Sequence, residues 1–130
     1  RDPVEKARIL EGWVHRKLDK SYGKNASTAR DVLKNRAGDC TEHALLFVAL
    51  ARSAGIPSRE VGGLVYAGDP GLFAWHAWAE IHDGHQWVSV DPMWDQVYVD
   101  PTHIKMQKDS DDYSWVNVCG GLKLKVVKAQ

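Results

Sequence analysis

Residues 38–66 read GDCTEHALLFVALARSAGIPSREVGGLVY, and the order of residue types in this stretch decides the fold. Asp39 is followed three positions later by Glu42, the spacing of a capping box with Asp in the place usually taken by Ser or Thr. An unbroken run of helix-forming apolar residues follows from Ala44 to Ala51, then Gly55 and Pro57. Glycine just past a helix end and proline two residues later are stop signals. The spacing therefore predicts a helix from about Cys40 to Ala54, buried on most sides. It places Cys40 in the first turn, at the electropositive end. A structural cysteine belongs inside an apolar stretch, as a small hydrophobe. This one lies at the edge of such a stretch.

Outward from this helix the pattern divides. On the N-terminal side, residues 2–21 repeat apolar residues at helical spacing (Val4, Ala7, Leu10, Val14, Leu18), with Asp2 as cap and Pro3 in the first turn. YGKNAS reads as a loop, and STARDVLKNRAG holds one or two helical turns ending near Gly38. On the C-terminal side the segments SREVGGLVYA, LFAWHAWAEIH, QWVSVDP, DQVYVDPTHI and GLKLKVVKA read as strands, with Gly62-Gly63 suited to a close backbone approach. One long buried helix packed on an antiparallel sheet makes an α+β domain. At 130 residues the chain suits one such domain, residues 1–130, around one core.

Bulk properties narrow the function. Lys plus Arg and Asp plus Glu are 17 each, so no basic surface calls for nucleic acid or an anionic membrane. No apolar run is long enough to span a bilayer, and no signal peptide is present. The chain opens on Arg1-Asp2-Pro3, which reads as a piece of a longer protein with other domains flanking it; a targeting signal could belong to the missing part, so the compartment stays open. Two cysteines, Cys40 and Cys119, make no disulfide framework. A bridge between them would silence any Cys40 chemistry, and the expectation for Cys119 is a free thiol.

The chemistry follows from strand register. If Asp83-Gly84 is a two-residue hairpin turn, His82 pairs with His85, and equal steps back along both strands bring His76 opposite Asp91. Their Cβ atoms would then be about 5 Å apart on one face of the sheet. A carboxylate at that distance can hold an imidazole N–H. A helix start favours the thiolate form of a cysteine, and an imidazole beside it stabilises that form further. Cys40, His76 and Asp91 thus form a candidate nucleophile, base and orienting acid. The free N–H groups of the helix start, that of Cys40 included, could hold an oxyanion.

These residues also carry a resemblance. GDCTEHALLFVALARSAGIPSREVGGLVY, then WHAWAEI, then QWVSVDPMWDQ, resembles the transglutaminase-like core of bacterial proteins, from about residue 27 to the end of the chain. VDPTHIKM and GLKLKVV resemble a C-terminal extension of that core. The resemblance implies a papain-like fold, with Cys40 as nucleophile, His76 as base and Asp91 as orienting acid. It implies acyl transfer on amide bonds through a thioester, with a peptide or protein as substrate and no metal or organic cofactor. Water as acceptor gives a cysteine peptidase or amidase, an amine gives a protein-glutamine γ-glutamyltransferase, and a non-catalytic peptide-binding module is the reading from another class. Asn35 and Tyr22 are candidates for a side-chain oxyanion donor.

The remaining polar and aromatic residues have plainer readings. Cys40 and His43 could ligate zinc with His76 or His103, but no second tight ligand pair exists. His43 is expected on the helix flank, His82 and His85 in solvent around the turn, and His103 as a structural hydrogen bonder. Asp100 repeats the Asp-Pro of Asp91 without a histidine opposite it in the assumed register. Four of the six tryptophans fall between residues 75 and 94. Alternation puts Trp78 on the His76 face as a substrate-cleft residue and Trp75 in the core, and leaves Trp87 and Trp94 open.

Overall fold

The computed structural model describes residues 1–21, 26–66, 68 and 72–107. Helix α1 (Pro3–Lys17) opens the chain, capped by the Asp2 carboxylate, which accepts the Glu5 N–H at 2.8 Å. Its core-facing stripe is Ala7, Val14 and, just past its end, Leu18. Glu11 is buried with them, which an apolar periodicity does not reveal. The two-residue strand β1 (Asp19–Lys20) pairs in parallel with β2 (Ala37–Gly38). Between them lies α2 (Ala29–Asn35), capped by Thr28 and ended by Arg36 in the left-handed conformation. The helix therefore stops before Gly38, and Gly38 is extended chain leading into the next element.

That element is α3 (Cys40–Ser53), the helix the sequence predicts. Its capping box is formed: Asp39 Oδ1 accepts the Thr41 N–H at 3.0 Å, and Glu42 Oε2 accepts the Asp39 N–H at 3.3 Å. A Cβ on Gly38 would lie 2.3 Å from the Glu42 Cβ, so glycine there is what lets the Glu42 side chain fold back. The far end is a Schellman motif, with Gly55 at φ +80°, the Gly55 N–H on the Arg52 carbonyl and the Ile56 N–H on the Ala51 carbonyl. Ile56 and Ala51 are both buried, supplying the apolar contact that accompanies this turn.

Five strands follow in one antiparallel sheet, order β6-β5-β4-β3-β7: β3 (Ser58–Tyr66), β4 (Phe73–His82), β5 (Trp87–Asp91), β6 (Gln96–Val97) and β7 (His103–Gln107). Three helices pack on this sheet among the described residues, giving an α+β architecture. Along β4 the two faces alternate. Ala79 and Ile81 join Val88 and Val90 of β5 against Leu46, Phe47, Val48 and Ala51 of α3 and Ala7 and Val14 of α1. His76, Trp78 and Glu80 point the other way, and Glu80 accepts hydrogen bonds from Arg59 and Lys105.

The hairpin register differs from the expected one. Ile81 pairs with Val88 and His82 with Trp87, so the connection is the four-residue loop 83–86 and not two residues. Asp83 accepts the N–H groups of His85 and Gln86 on its side chain and donates its own N–H to the Gln86 carbonyl, which pulls two further residues out of the ladder. Gly84 takes φ +106° in this loop. The shift is by an even number of residues, so the face is unchanged: Asp91 becomes a diagonal rather than a directly opposite neighbour of His76.

DQVYVDPTHI, read as one strand, is β6, a turn and β7. The strand expected at GLKLKVVKA and the thiol of Cys119 lie outside the described residues. Cys40 is a free thiol. Gly63 of β3, opposite His76, passes so close to β7 that a Cβ would lie 2.0 Å from the Ile104 carbonyl oxygen and 2.9 Å from the Trp78 ring. Gly63→Ala is expected to destabilise the fold by on the order of 2 kcal/mol or more, because backbone cannot yield as a side-chain tip does. Urea unfolding monitored by circular dichroism measures it, with Gly12→Ala, where a Cβ would meet only the tip of the flexible Arg16 side chain, as the comparison.

Candidate active site

The first residue of α3 is Cys40, and the helix dipole and capped N-terminus therefore point at its thiol. It is 8% exposed and packs in a small cluster with Ala77 of β4 and Met93, just past β5. Ala77 lies next to His76 in the chain, and Met93 two residues beyond Asp91. These contacts bring the helix start to the place where β4 and β5 present their polar pair.

His76 is 4% exposed and donates from Nε2 to Asp91 Oδ2 at 2.7 Å. Nδ1 is thereby left without a part in this bond, and the Cys40 side chain is near enough to the ring to help raise its pKa. Asp91 is fully buried. Its Oδ1 accepts the N–H groups of Met93 at 3.0 Å and Trp94 at 3.3 Å, which folds the chain sharply after β5. His15 of α1 braces the same turn, its Nδ1 lying 3.2 Å from the Pro92 carbonyl and 3.1 Å from that of Met93. The structure thus brings together the three residues selected from sequence.

Two effects compete over their protonation. Burial alone would lower the His76 pKa, but hydrogen bonding to Asp91 and Cys40 outweighs it and raises the value to about 9. Burial alone would raise the Asp91 pKa; its bonds to His103 and His76 hold it down to about 2. The pair is thus an imidazolium facing a carboxylate over a wide range of pH.

Several side chains fall elsewhere than expected. Trp78 does share the His76 face, with the rings stacked at 6.0 Å, but it is 2% exposed and so supports the site from beneath instead of walling a cleft. The glycine at position 63 opens the space its ring fills. The exposed aromatic over His76 is Trp94, stacked at 4.6 Å with an interplanar angle of 18°. Trp75, expected in the core, is on the surface, and Trp87 lies under the Arg59 guanidinium. His43 is fully buried, with Nδ1 on the Asp39 carbonyl at 2.7 Å and Nε2 unpartnered; burial lowers its pKa, so the ring is neutral. It points into the protein because α3 is enclosed on that side too. His85 is exposed and His82 partly so. Asn35 is exposed at the end of α2, and Tyr22 lies outside the described residues.

The residue that sequence reasoning undervalued is His103. Its Nε2 lies 2.8 Å from Asp91 Oδ2, the same oxygen that His76 uses, and its Nδ1 lies 3.1 Å from Asp100 Oδ1. Asp100 therefore does have a histidine partner, three residues along in a turn rather than across a ladder. The donor atoms of His76, Asp91 and His103 lie within 4.8 Å of one another, a grouping that could hold a metal ion. The proposed zinc pair of Cys40 and His43 is not such a group, since the His43 ring is turned to its own helix start.

Residues 1–92 match the core domain of the transglutaminase-like superfamily. The chain belongs to that superfamily. The match starts earlier than the resemblance read from sequence, taking in α1, and ends with Pro92, so His103 lies beyond it. Among solved structures, this transglutaminase-like chain is similar to a Cytophaga hutchinsonii protein proposed to be a cysteine protease, with 27% identity and a TM-score of 0.65 over 77% of this chain and 34% of that one. A transglutaminase structure shares the fold at 17% identity and a TM-score of 0.57, over 90% of this chain and 31% of that one. An uncharacterised Haemophilus influenzae protein is 34% identical over a 68-residue alignment that covers 48% of this chain and 18% of that protein. The chain thus spans 34% or less of each of these relatives.

The pKa shifts set a pH signature with a definite sign. His76 titrates near 9 when folded, above its ordinary 6.5, so its contribution to stability is complete below about pH 6.5 and lost as pH rises through 9. Asp91 titrates near 2, below its ordinary 3.8, so its contribution is complete above about pH 3.8 and lost as pH falls through 2. An NMR titration of the His76 ring is expected to give a midpoint close to 9. A midpoint near 6.5 would mean that Asp91 and Cys40 do not hold the proton.

Proposed function

We propose that this transglutaminase-like domain is a cysteine hydrolase of peptide or other amide bonds, with Cys40 as nucleophile, His76 as base and acid, and Asp91 as orienting carboxylate. The observation that carries it is the buried 2.7 Å bond from His76 to Asp91, beside a cysteine at a helix N-terminus whose side chain acts on the same ring. The likeness to the Cytophaga protein supports the same reading.

In this mechanism the proton shared by Cys40 and His76 rests on the imidazolium, and the Cys40 sulfur attacks the amide carbonyl as the thiolate. The oxyanion that forms faces the Cys40 N–H, the one N–H among the first three of α3 that the capping box does not take, and this N–H needs no reorganisation to meet it. His76 returns its proton to the departing amine, leaving a thioester on Cys40. Water attacks the thioester as His76 takes its proton; the carboxylic acid leaves and the thiolate–imidazolium pair is restored. Asp91 keeps Nε2 occupied, so that Nδ1 is always the nitrogen presented to sulfur. Trp94, over the ring and partly exposed, excludes water from one side of the imidazole. No step calls for a metal or organic cofactor. The identity of the acceptor divides two activities on one intermediate: an amine in place of water would make the domain a transglutaminase.

A peptide and protein-glutamine screen of wild type beside Cys40→Ala tests this, with mass spectrometry to distinguish a gain of water from amine incorporation. Cys40→Ala is expected to fold normally and lose all turnover. Asp91→Asn is expected to lower kcat by up to about 10⁴-fold, because the amide presents the wrong tautomer to His76. Turnover retained in Cys40→Ala would leave the domain as a binding module whose hydrolysis came from elsewhere.

A further inference from the structure

Asp91 is held by two histidines, and the mechanism above uses one. His76 and His103 both reach Oδ2, at 2.7 and 2.8 Å. Oδ1 is committed to the Met93 and Trp94 N–H groups, so the carboxylate cannot rotate to share the load. The His103 side chain is 1% exposed and held on every side. Trp78 meets it edge-on at 5.0 Å and Trp94 at 5.3 Å. Its Nδ1 lies against Asp100 Oδ1 at 3.1 Å and Thr102 Oγ1 at 3.3 Å, and the Thr102 hydroxyl donates to Asp100. Asp100 is fixed in turn by Gln96, whose Nε2 donates to Oδ2 at 3.0 Å and whose Oε1 accepts the Asp100 N–H at 3.2 Å.

We propose that His103 is a positioning residue, which acts through Asp91 on His76. By donating to the oxygen that His76 also uses, it pins the carboxylate in the plane of the His76 ring and shares its negative charge. Asp100, Thr102 and Gln96 form the frame that holds His103. Cys40 of α3, His76 of β4, Asp91 of β5, His103 of β7 and Asp100 of the preceding turn face one another here, and Glu11 of α1 and His43 of α3 are close enough to Asp91 to interact with its charge. The proposal rests on the triad reading for its effect on catalysis, but its first readout does not require turnover.

Removing the second donor leaves more negative charge on Oδ2 facing His76. In His103→Leu the NMR titration midpoint of His76 should therefore move upward. The rate of Cys40 alkylation by iodoacetamide, resolved from Cys119 by peptide mass spectrometry, should carry the same upward shift in its alkaline limb. His103→Gln supplies an N–H in place of Nε2 and should restore both profiles toward wild type. Once a substrate is in hand, His103→Leu should lose on the order of 10- to 100-fold in kcat with KM little changed, through misplacement of the base. Thermal unfolding of both variants checks folding.

An unmoved His76 midpoint in a folded His103→Leu, or leucine and glutamine variants altered to the same degree, would overturn the proposal and make His103 packing alone. Failure of the triad reading looks different. The His76 midpoint would still shift, while Cys40 would alkylate like an ordinary thiol in every variant.

Discussion

The buried carboxylate of Asp91 is the interaction on which the rest depends. A charge without solvent is tolerated only when its lone pairs are met. Here two backbone N–H groups take one oxygen and two imidazoles the other. Each of those donors comes from a different constraint. The backbone pair needs the sharp turn after β5, the His76 ring needs the β4 face, and His103 needs β7 and the turn before it. The fold can be viewed as the arrangement that delivers these donors to one point.

The other half of the site is built on the opposite principle. Cys40 is placed by a helix whose body is apolar and enclosed, packed on Ala79, Ile81, Val88 and Val90. Burial of that body fixes where the helix starts, and the capping box closes the N-terminus without covering the thiol. Glycines at 38 and 63 make the two closest approaches, one for the cap and one for the ring of Trp78 beneath the histidines. Stability and chemistry are thus separated across the β4 strand: the odd residues 79 and 81 serve the core, and the even residues 76, 78 and 80 serve the polar face.

Membership in the transglutaminase-like superfamily agrees with this architecture, and the share of each relative that the chain spans places the domain within larger relatives. What the geometry adds is a second histidine beyond the matched region. It converts a three-residue line into a network of five side chains, with Asp100 at its outer end.

Much of the site was legible in the sequence because its signals are local. The cap at Asp39 and Glu42, the stop at Gly55 and the first-turn position of Cys40 depend on neighbours within a few residues, and all appear as read, although Cys40 is buried there. The pairing of His76 with Asp91 survived a wrong turn length because strand faces repeat every second residue, and the error was even. Tertiary structure alone decided the rest. Whether Trp78 or Trp94 is exposed depends on which strand passes a glycine beneath one of them. The link from His103 to Asp91 joins β7 to β5, which have β4 and β3 between them in the sheet order, and no local pattern encodes a contact of that range. Sequence by itself determined the helix start at Cys40 and the strand face that His76 and Asp91 share; packing decided what else touches Asp91, because hydrogen bonds to a buried charge are set by distance in space.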